Sequence, residues 1–158
     1  MTHTLRRGAA LLAVAASLSL VTAVLAGPTV PHKESCNGTL TNVIPPTESS
    51  PGRMDFVGKG VATHTGKYQI VGGHDFTPDG NLEGTFTSTA ADGSTISGMY
   101  EGTFAPIGGT LFQFNVTVVW TNGTGRLEGV TGIADVVAVL DAATGEFHYD
   151  GDGTWTLP

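Results

Sequence analysis

Five polar side chains fall on strand-like faces that otherwise read as interior: Tyr68, His74, Tyr100, Asp135 and Tyr149. A tyrosine hydroxyl or an imidazole shut inside an apolar cavity must find a hydrogen-bond partner, and its pKa shifts where it finds none. Such groups suit two tasks. They orient a small apolar ligand, or they steer charge while a dry pocket folds a substrate for cyclisation or isomerisation. Alternatively, the tyrosines place their hydroxyls at a rim and Asp135 pairs with a neighbour. Two further candidates sit in turns. His64, in Thr63-His64-Thr65-Gly66, either orients a ligand at the mouth of the fold or fixes its own loop through side-chain to backbone hydrogen bonds. Arg126, in a glycine-rich loop, either holds an anionic substrate group or pairs with Glu128 or loop carbonyls.

Other chemistries find little support. Asp79-Gly80-Asn81-Leu82-Glu83 and Asp150-Gly151-Asp152-Gly153 put oxygen ligands at every second residue, as calcium loops do. Neither completes such a loop, and Asp-Gly is ordinary turn chemistry. The sequence holds no nucleophile elbow, His-Glu-x-x-His pair, Walker loop or dinucleotide fingerprint, so neither metal nor cofactor is expected.

The candidates depend on strands to position them. From Arg53 onward no stretch has helical periodicity; strand-like runs alternate with turn residues. The runs are Met54–Ala62, Lys67–Phe76, Leu82–Ala90, Thr95–Ala105, Thr110–Thr121, Gly132–Asp141 and Glu146–Leu157. Period two is clear within them: Phe112, Phe114, Val116, Val118 and Trp120 share one face, opposite Gln113, Asn115 and Thr117. Interior faces alternate rings with glycine, as in Phe56, Gly58, Gly60 and in Ile96, Gly98, Tyr100, Gly102, Phe104. Large beside small is how a sharply curved sheet fills a narrow interior. With a short strand at 39–44, the count is eight, and the pattern predicts an all-β, single antiparallel up-and-down β-barrel over 53–158, with a β-sandwich as the alternative. One run, Ile133 to Leu140, is apolar on both faces apart from Asp135, which predicts cover from the N-terminal leader or from another subunit.

The N-terminus reads as an export signal. Arg6 and Arg7 precede an uncharged, Ala- and Leu-rich stretch over 8–26, and Val24-Leu25-Ala26 offers a small-residue cut before Gly27-Pro28. The expected location is secreted or periplasmic, with no membrane association after cleavage. Residues 27–52, rich in Pro, Ser and Thr, predict a mostly flexible leader. Cys36 within it is a free thiol or an intermolecular bridge, because a lone cysteine makes no internal disulfide. Without residues 1–26 the chain carries five cations against fourteen acids, a net charge of −9. That balance argues against nucleic acid and anionic membrane as partners.

Two segments resemble a known family. Gly58-Lys59-Gly60-Val61-Ala62-Thr63-His64-Thr65-Gly66-Lys67-Tyr68 and Gly123-Thr124-Gly125-Arg126-Leu127-Glu128-Gly129-Val130-Thr131-Gly132 are similar to elements of the bacterial exported relatives of the allene oxide cyclase and dirigent barrels. The resemblance covers roughly 55–157. It implies a calycin-like eight-stranded barrel with a hydrophobic cavity, and a homo-oligomer, a trimer in the plant members. No catalytic set transfers residue by residue. The expected function is an exported, non-catalytic barrel that binds a small apolar molecule or a partner. The alternative is an allene oxide cyclase-like cyclase or isomerase acting on an unsaturated lipid-derived or phenolic substrate.

Overall fold

Asp-Gly and Thr-Gly dipeptides reverse the chain where the sequence places its turns. Gly66 and Gly93 take φ of 67° and 85°, the left-handed region that side-chain-bearing residues rarely enter. In the computed structural model, which describes residues 27–158, these reversals join eight strands. They are β1 (Thr29–Ile44), β2 (Gly52–Ala62), β3 (Gly66–Phe76), β4 (Asn81–Ala90), β5 (Thr95–Gly108), β6 (Leu111–Gly123), β7 (Thr131–Asp141) and β8 (Glu146–Thr156). Each pairs antiparallel with the next, and β1 closes on β8, so the sheet is a closed up-and-down barrel rather than a sandwich. A 3-10 turn at Gly125–Leu127 lies between β6 and β7. The export signal predicted for residues 1–26 lies outside the described residues.

The leader expectation is overturned. Residues 29–44 form β1, at 16 residues the longest strand. From Glu34 to Thr39 it is paired on both sides, to β2 and to β8. Two features hid it. Its inward face, Val30, His32, Glu34, Cys36, Gly38 and Leu40, carries polar groups among the apolar ones, so period two gives no clean apolar stripe. Pro31 reads as a strand breaker, yet it lies beyond the first β1–β2 partners, Glu34 and Ala62, where no β2 residue stands opposite its nitrogen. Cys36 is therefore fully buried inside the barrel, which excludes the intermolecular bridge. The cover predicted for β7 also fails within this chain. Ala134, Val136 and Leu140 point inward and are buried, while Ile133 and Val137 are about half exposed, because the leader that was to cover them is itself a barrel strand.

The interior is filled by rings set against glycines. A Cβ on Gly60 would lie 2.6 Å from the Tyr68 ring, one on Gly72 2.6 Å from Phe56, and one on Gly38 2.3 Å from Phe147. One end of the barrel gathers the β2–β3, β4–β5 and β6–β7 connections. It is plugged by Trp120, Trp155, His32, Ile96, Leu127 and Val130. His32 stacks on Trp155 with centroids 4.1 Å apart and an interplanar angle of 11°. The other half holds a second aromatic cluster around Phe76, Leu82, Phe114 and Leu140.

Closure through β1 has a direct consequence for hydrogen exchange. Amides of residues 34–39 should exchange as slowly as those in the middle of β6, whereas a leader would exchange at near-random-coil rates. Hydrogen-exchange mass spectrometry on the intact protein distinguishes the two.

Candidate functional site

Beyond the plugged end, and running into the second aromatic cluster, the barrel holds a partly open cavity of about 100 Å³. Its walls are apolar, formed by Phe56, Phe86, Phe114, Val136, Ala138 and Phe147, with polar side chains at two places. The strands supply these through their inward faces, and at each place a glycine makes the room.

The first polar place is built from β1, β3 and β8. The Tyr68 hydroxyl donates to Glu34 Oε2 at 3.1 Å, and the Tyr149 hydroxyl lies 2.8 Å from that of Tyr68. Because the Tyr68 proton goes to the carboxylate, the Tyr149 hydroxyl donates in turn to the Tyr68 oxygen, giving a chain Tyr149 to Tyr68 to Glu34. Tyr149 and Glu34 both line the cavity, and Tyr68, only 4% exposed, stands behind them. Gly60 leaves space for the Tyr68 hydroxyl, 2.6 Å from where a Cβ would be, and Gly151 does the same for Glu34 Oε1 at 3.2 Å. No cation pairs with Glu34 among the described residues. Burial therefore dominates and pushes its carboxyl up to about 7, against the pull of the two tyrosine hydroxyls. Burial likewise raises the Tyr68 and Tyr149 hydroxyls well above the usual phenol range and pushes the Cys36 thiol up to about 11, so all three stay protonated at neutral pH.

The second polar place spans β3, β4 and β5. Met54, His74, Gly84 and Tyr100 are successive cross-strand partners. The bond from the Tyr100 hydroxyl to His74 Nδ1, 2.9 Å, passes over Gly84, where a Cβ would lie 2.7 Å from each side chain. His74 packs against Phe76 and Phe114, and its Nε2 is buried with no hydrogen-bond partner. Burial, assisted by the nearby Arg53 charge, pushes this imidazole down to about 4, so it is neutral at pH 7.

Four of the five cavity candidates thus point into the barrel, and they fall into two groups: Tyr68 with Tyr149, and His74 with Tyr100. Asp135 does not. It is exposed on the outer face of β7, accepts from the Thr117 hydroxyl at 3.2 Å, and stands opposite Asp152 of β8. The unbroken apolar run around it masked which parity faced inward. Both rim candidates are structural. His64 Nε2 donates to the Pro31 carbonyl at 2.9 Å and ties down the start of β1. Arg126 pairs with Asp92 and donates to the carbonyls of His64 at 2.6 Å and Thr65 at 2.9 Å, fastening three connections together; Glu128 is not its partner. Glu34 and His32 escaped the sequence reading because both lie on the strand taken for a leader. The signal that finds them is their parity with Cys36, Gly38 and Leu40. Among the described residues His32 has no partner for either ring nitrogen, and burial with the neighbouring His64 pushes it down to about 4, so it packs as a neutral ring.

No protein-family profile and no curated protein matches the chain. A solved structure does: a pterocarpan synthase dirigent protein, with a TM-score of 0.56 over 90% of this chain and 99% of that one, at 11% sequence identity. The chain has a dirigent-like barrel fold. At that identity the likeness concerns the fold alone.

The raised Glu34 pKa gives a signed stability prediction. The folded state holds a proton on Glu34 that the unfolded chain releases near pH 4.5, so the Glu34 contribution to stability falls as pH rises from about 4.5 to about 7 and is level above that. The neutral His32 and His74 act in the opposite direction from about 4 to 6.5 and cancel between two proteins that share them. Glu34→Gln removes the term. Its stability advantage over wild type should grow across that window to at most about 3 kcal/mol, reduced by whatever solvent reaches the partly buried carboxyl. Urea unfolding of both proteins at pH 4.5, 6 and 7.5 reads it; a difference independent of pH places the Glu34 pKa near its ordinary value.

Proposed function

We propose that this chain binds one small, mostly apolar molecule inside its barrel and that the Glu34–Tyr68–Tyr149 chain anchors a polar end of that guest. The observation that carries this is the apolar cavity itself, with a carboxyl and a phenol hydroxyl at its wall. Its size defines the guest. About 100 Å³ compares with engineered cavities of roughly 150 Å³ that hold benzene, and falls short of the roughly 300–1,000 Å³ of pockets for drug-sized ligands. A single ring or a short unsaturated chain fits; a larger ligand requires wall rings such as Phe114 or Phe147 to turn.

A second reading rests on Glu34. A carboxyl with a pKa of about 7 is ready to give or take a proton at neutral pH, as a cyclase or isomerase of an unsaturated or phenolic substrate requires. The likeness in fold to a pterocarpan synthase dirigent protein supports a substrate-directing role of this kind. The basic start, uncharged stretch and small-residue exit of residues 1–26 support work outside the cytoplasm. The exposed row Met99, Val119 and Ile133, in register across β5, β6 and β7, supports assembly with further copies.

Binding is tested with p-xylene, followed by methyl and aromatic NMR shifts. Wild type should show saturable shifts confined to cavity residues, and Ala138→Phe, which fills the cavity, should weaken them at least ten-fold while the spectrum stays folded. Absence of saturable shifts in wild type would sink the binding reading. The proton-transfer reading fails if Glu34→Gln leaves turnover of an identified substrate unchanged.

A further inference from the structure

His74 presents a hydrogen-bonding group that none of the described residues uses. Its side chain is 6% exposed, it lines the cavity, and Nε2 is buried without a partner. A buried polar atom left unsatisfied is costly, and of those in this barrel His74 Nε2 belongs to a residue of the cavity wall, where a partner from outside the chain can reach it. The surrounding rings, Phe76 and Phe114, keep bulk water from supplying it.

Which role the atom plays follows from proton counting. The Tyr100 hydroxyl has His74 Nδ1 as its sole partner among the described residues. If Nδ1–H donated to the Tyr100 oxygen, two groups would be left without partners: the hydroxyl proton and the Nε2 lone pair. If the hydroxyl donates to Nδ1, the phenol oxygen's accepting capacity and an Nε2–H remain. The second arrangement sets the stronger donor, the phenol, against the stronger acceptor, the imidazole nitrogen, and so puts the proton on Nε2. At the other polar place, Tyr68 occupies Glu34 Oε2, while Oε1 has no hydrogen-bond partner among the described residues and takes a donor when ionised.

We propose that the barrel recognises a two-ended guest: a one-ring or similarly compact molecule with a hydroxyl that donates to Glu34 Oε1 and a carbonyl or ether oxygen that accepts from His74 Nε2–H, the Phe114 ring yielding to admit it. This rests on the interior-binding reading above and narrows it to hydroxylated carbonyl compounds. The two polar places share no hydrogen bond, meet on β3 through Tyr68 and His74, and both contribute residues to the wall of one cavity, so one guest spans them. The apolar walls between them select a flat hydrocarbon frame and exclude charged or sugar-like molecules. Tyr100 is a positioning residue, holding the imidazole in the tautomer that donates.

Four para-substituted rings of nearly equal size separate the contributions: p-xylene, p-cresol, 4-methylbenzaldehyde and 4-hydroxybenzaldehyde. Affinities for wild type, measured by NMR titration at pH 7, where the phenol probes remain largely neutral, should rise in the order apolar, one polar end, both polar ends, with about 5- to 10-fold for each satisfied end. His74→Leu should bring 4-hydroxybenzaldehyde down to the level of p-cresol and leave p-cresol and p-xylene unchanged. Should that variant unfold, histidine ¹⁵N NMR of wild type serves instead. His74 should be the Nε2–H tautomer, and its Nε2 proton should shift with the aldehydes and not with p-xylene or p-cresol. If p-xylene and p-cresol bind but the aldehyde group adds nothing, or if His74→Leu weakens all four probes alike, the His74 assignment is overturned and interior binding stands. If none of the four binds, both fall.

Discussion

An eight-stranded barrel has an interior barely wide enough for its own side chains, so every ring that points inward needs a small residue facing it. This constraint organises the molecule. Gly38 yields to Phe147, Gly52 to Phe76, Gly72 to Phe56 and Gly60 to Tyr68, with separations to a hypothetical Cβ of 2.3–2.6 Å that no substituted residue would tolerate without movement. Curvature and packing are met by the same residues, because glycine lets the strand bend while leaving the space that the ring of a neighbouring strand takes up. What remains unfilled is the cavity, bounded by rings for which no more glycine space is left.

The polar groups obey the same rule. Glu34 lies against Gly151, Tyr68 against Gly60, and the His74–Tyr100 bond crosses Gly84. A larger residue at any of the three would push a polar atom out of its hydrogen bond. Their retention inside an otherwise apolar wall runs against stability. Glu34 has no cation beside it, and both His32 and His74 are held neutral by burial with ring nitrogens unpartnered. Local violations of the burial rule gather where function is expected, and here those at the cavity share one wall space while His32 belongs to the plug.

How far this was legible in the sequence depended on the strand. Where inward residues are apolar or glycine, as in Leu111–Gly123 and Glu146–Thr156, alternation identified the element and its buried face, and with it Tyr68, His74, Tyr100 and Tyr149. β1 was opaque because its inward face carries His32 and Glu34 and its first turn of pairing tolerates Pro31 at a position without a β2 partner. The most consequential carboxyl of the site was lost with it. Asp135 failed for the opposite reason: with Ile133, Val137 and Val139 exposed on the outer face, both parities of β7 look buried and period two loses its meaning. The hydrogen-bond chain from Tyr149 through Tyr68 to Glu34 joins three strands distant in sequence, and only closure of β1 on β8 brings it together.

Dryness links the two readings of the site. A guest one ring in size fills a cavity of about 100 Å³ and leaves no room for water beside it. In that low-dielectric space each hydrogen bond to the guest is stronger than in water, and an unmatched polar group is correspondingly costly. The same conditions hold Glu34 near the pH at which a proton changes hands. A hydroxyl that donates to Glu34 stabilises its ionised form, whereas an apolar guest that only displaces water favours the neutral acid. On the proposed reading, the choice between holding a guest and also moving a proton therefore turns on the chemistry of the guest as much as on that of the wall.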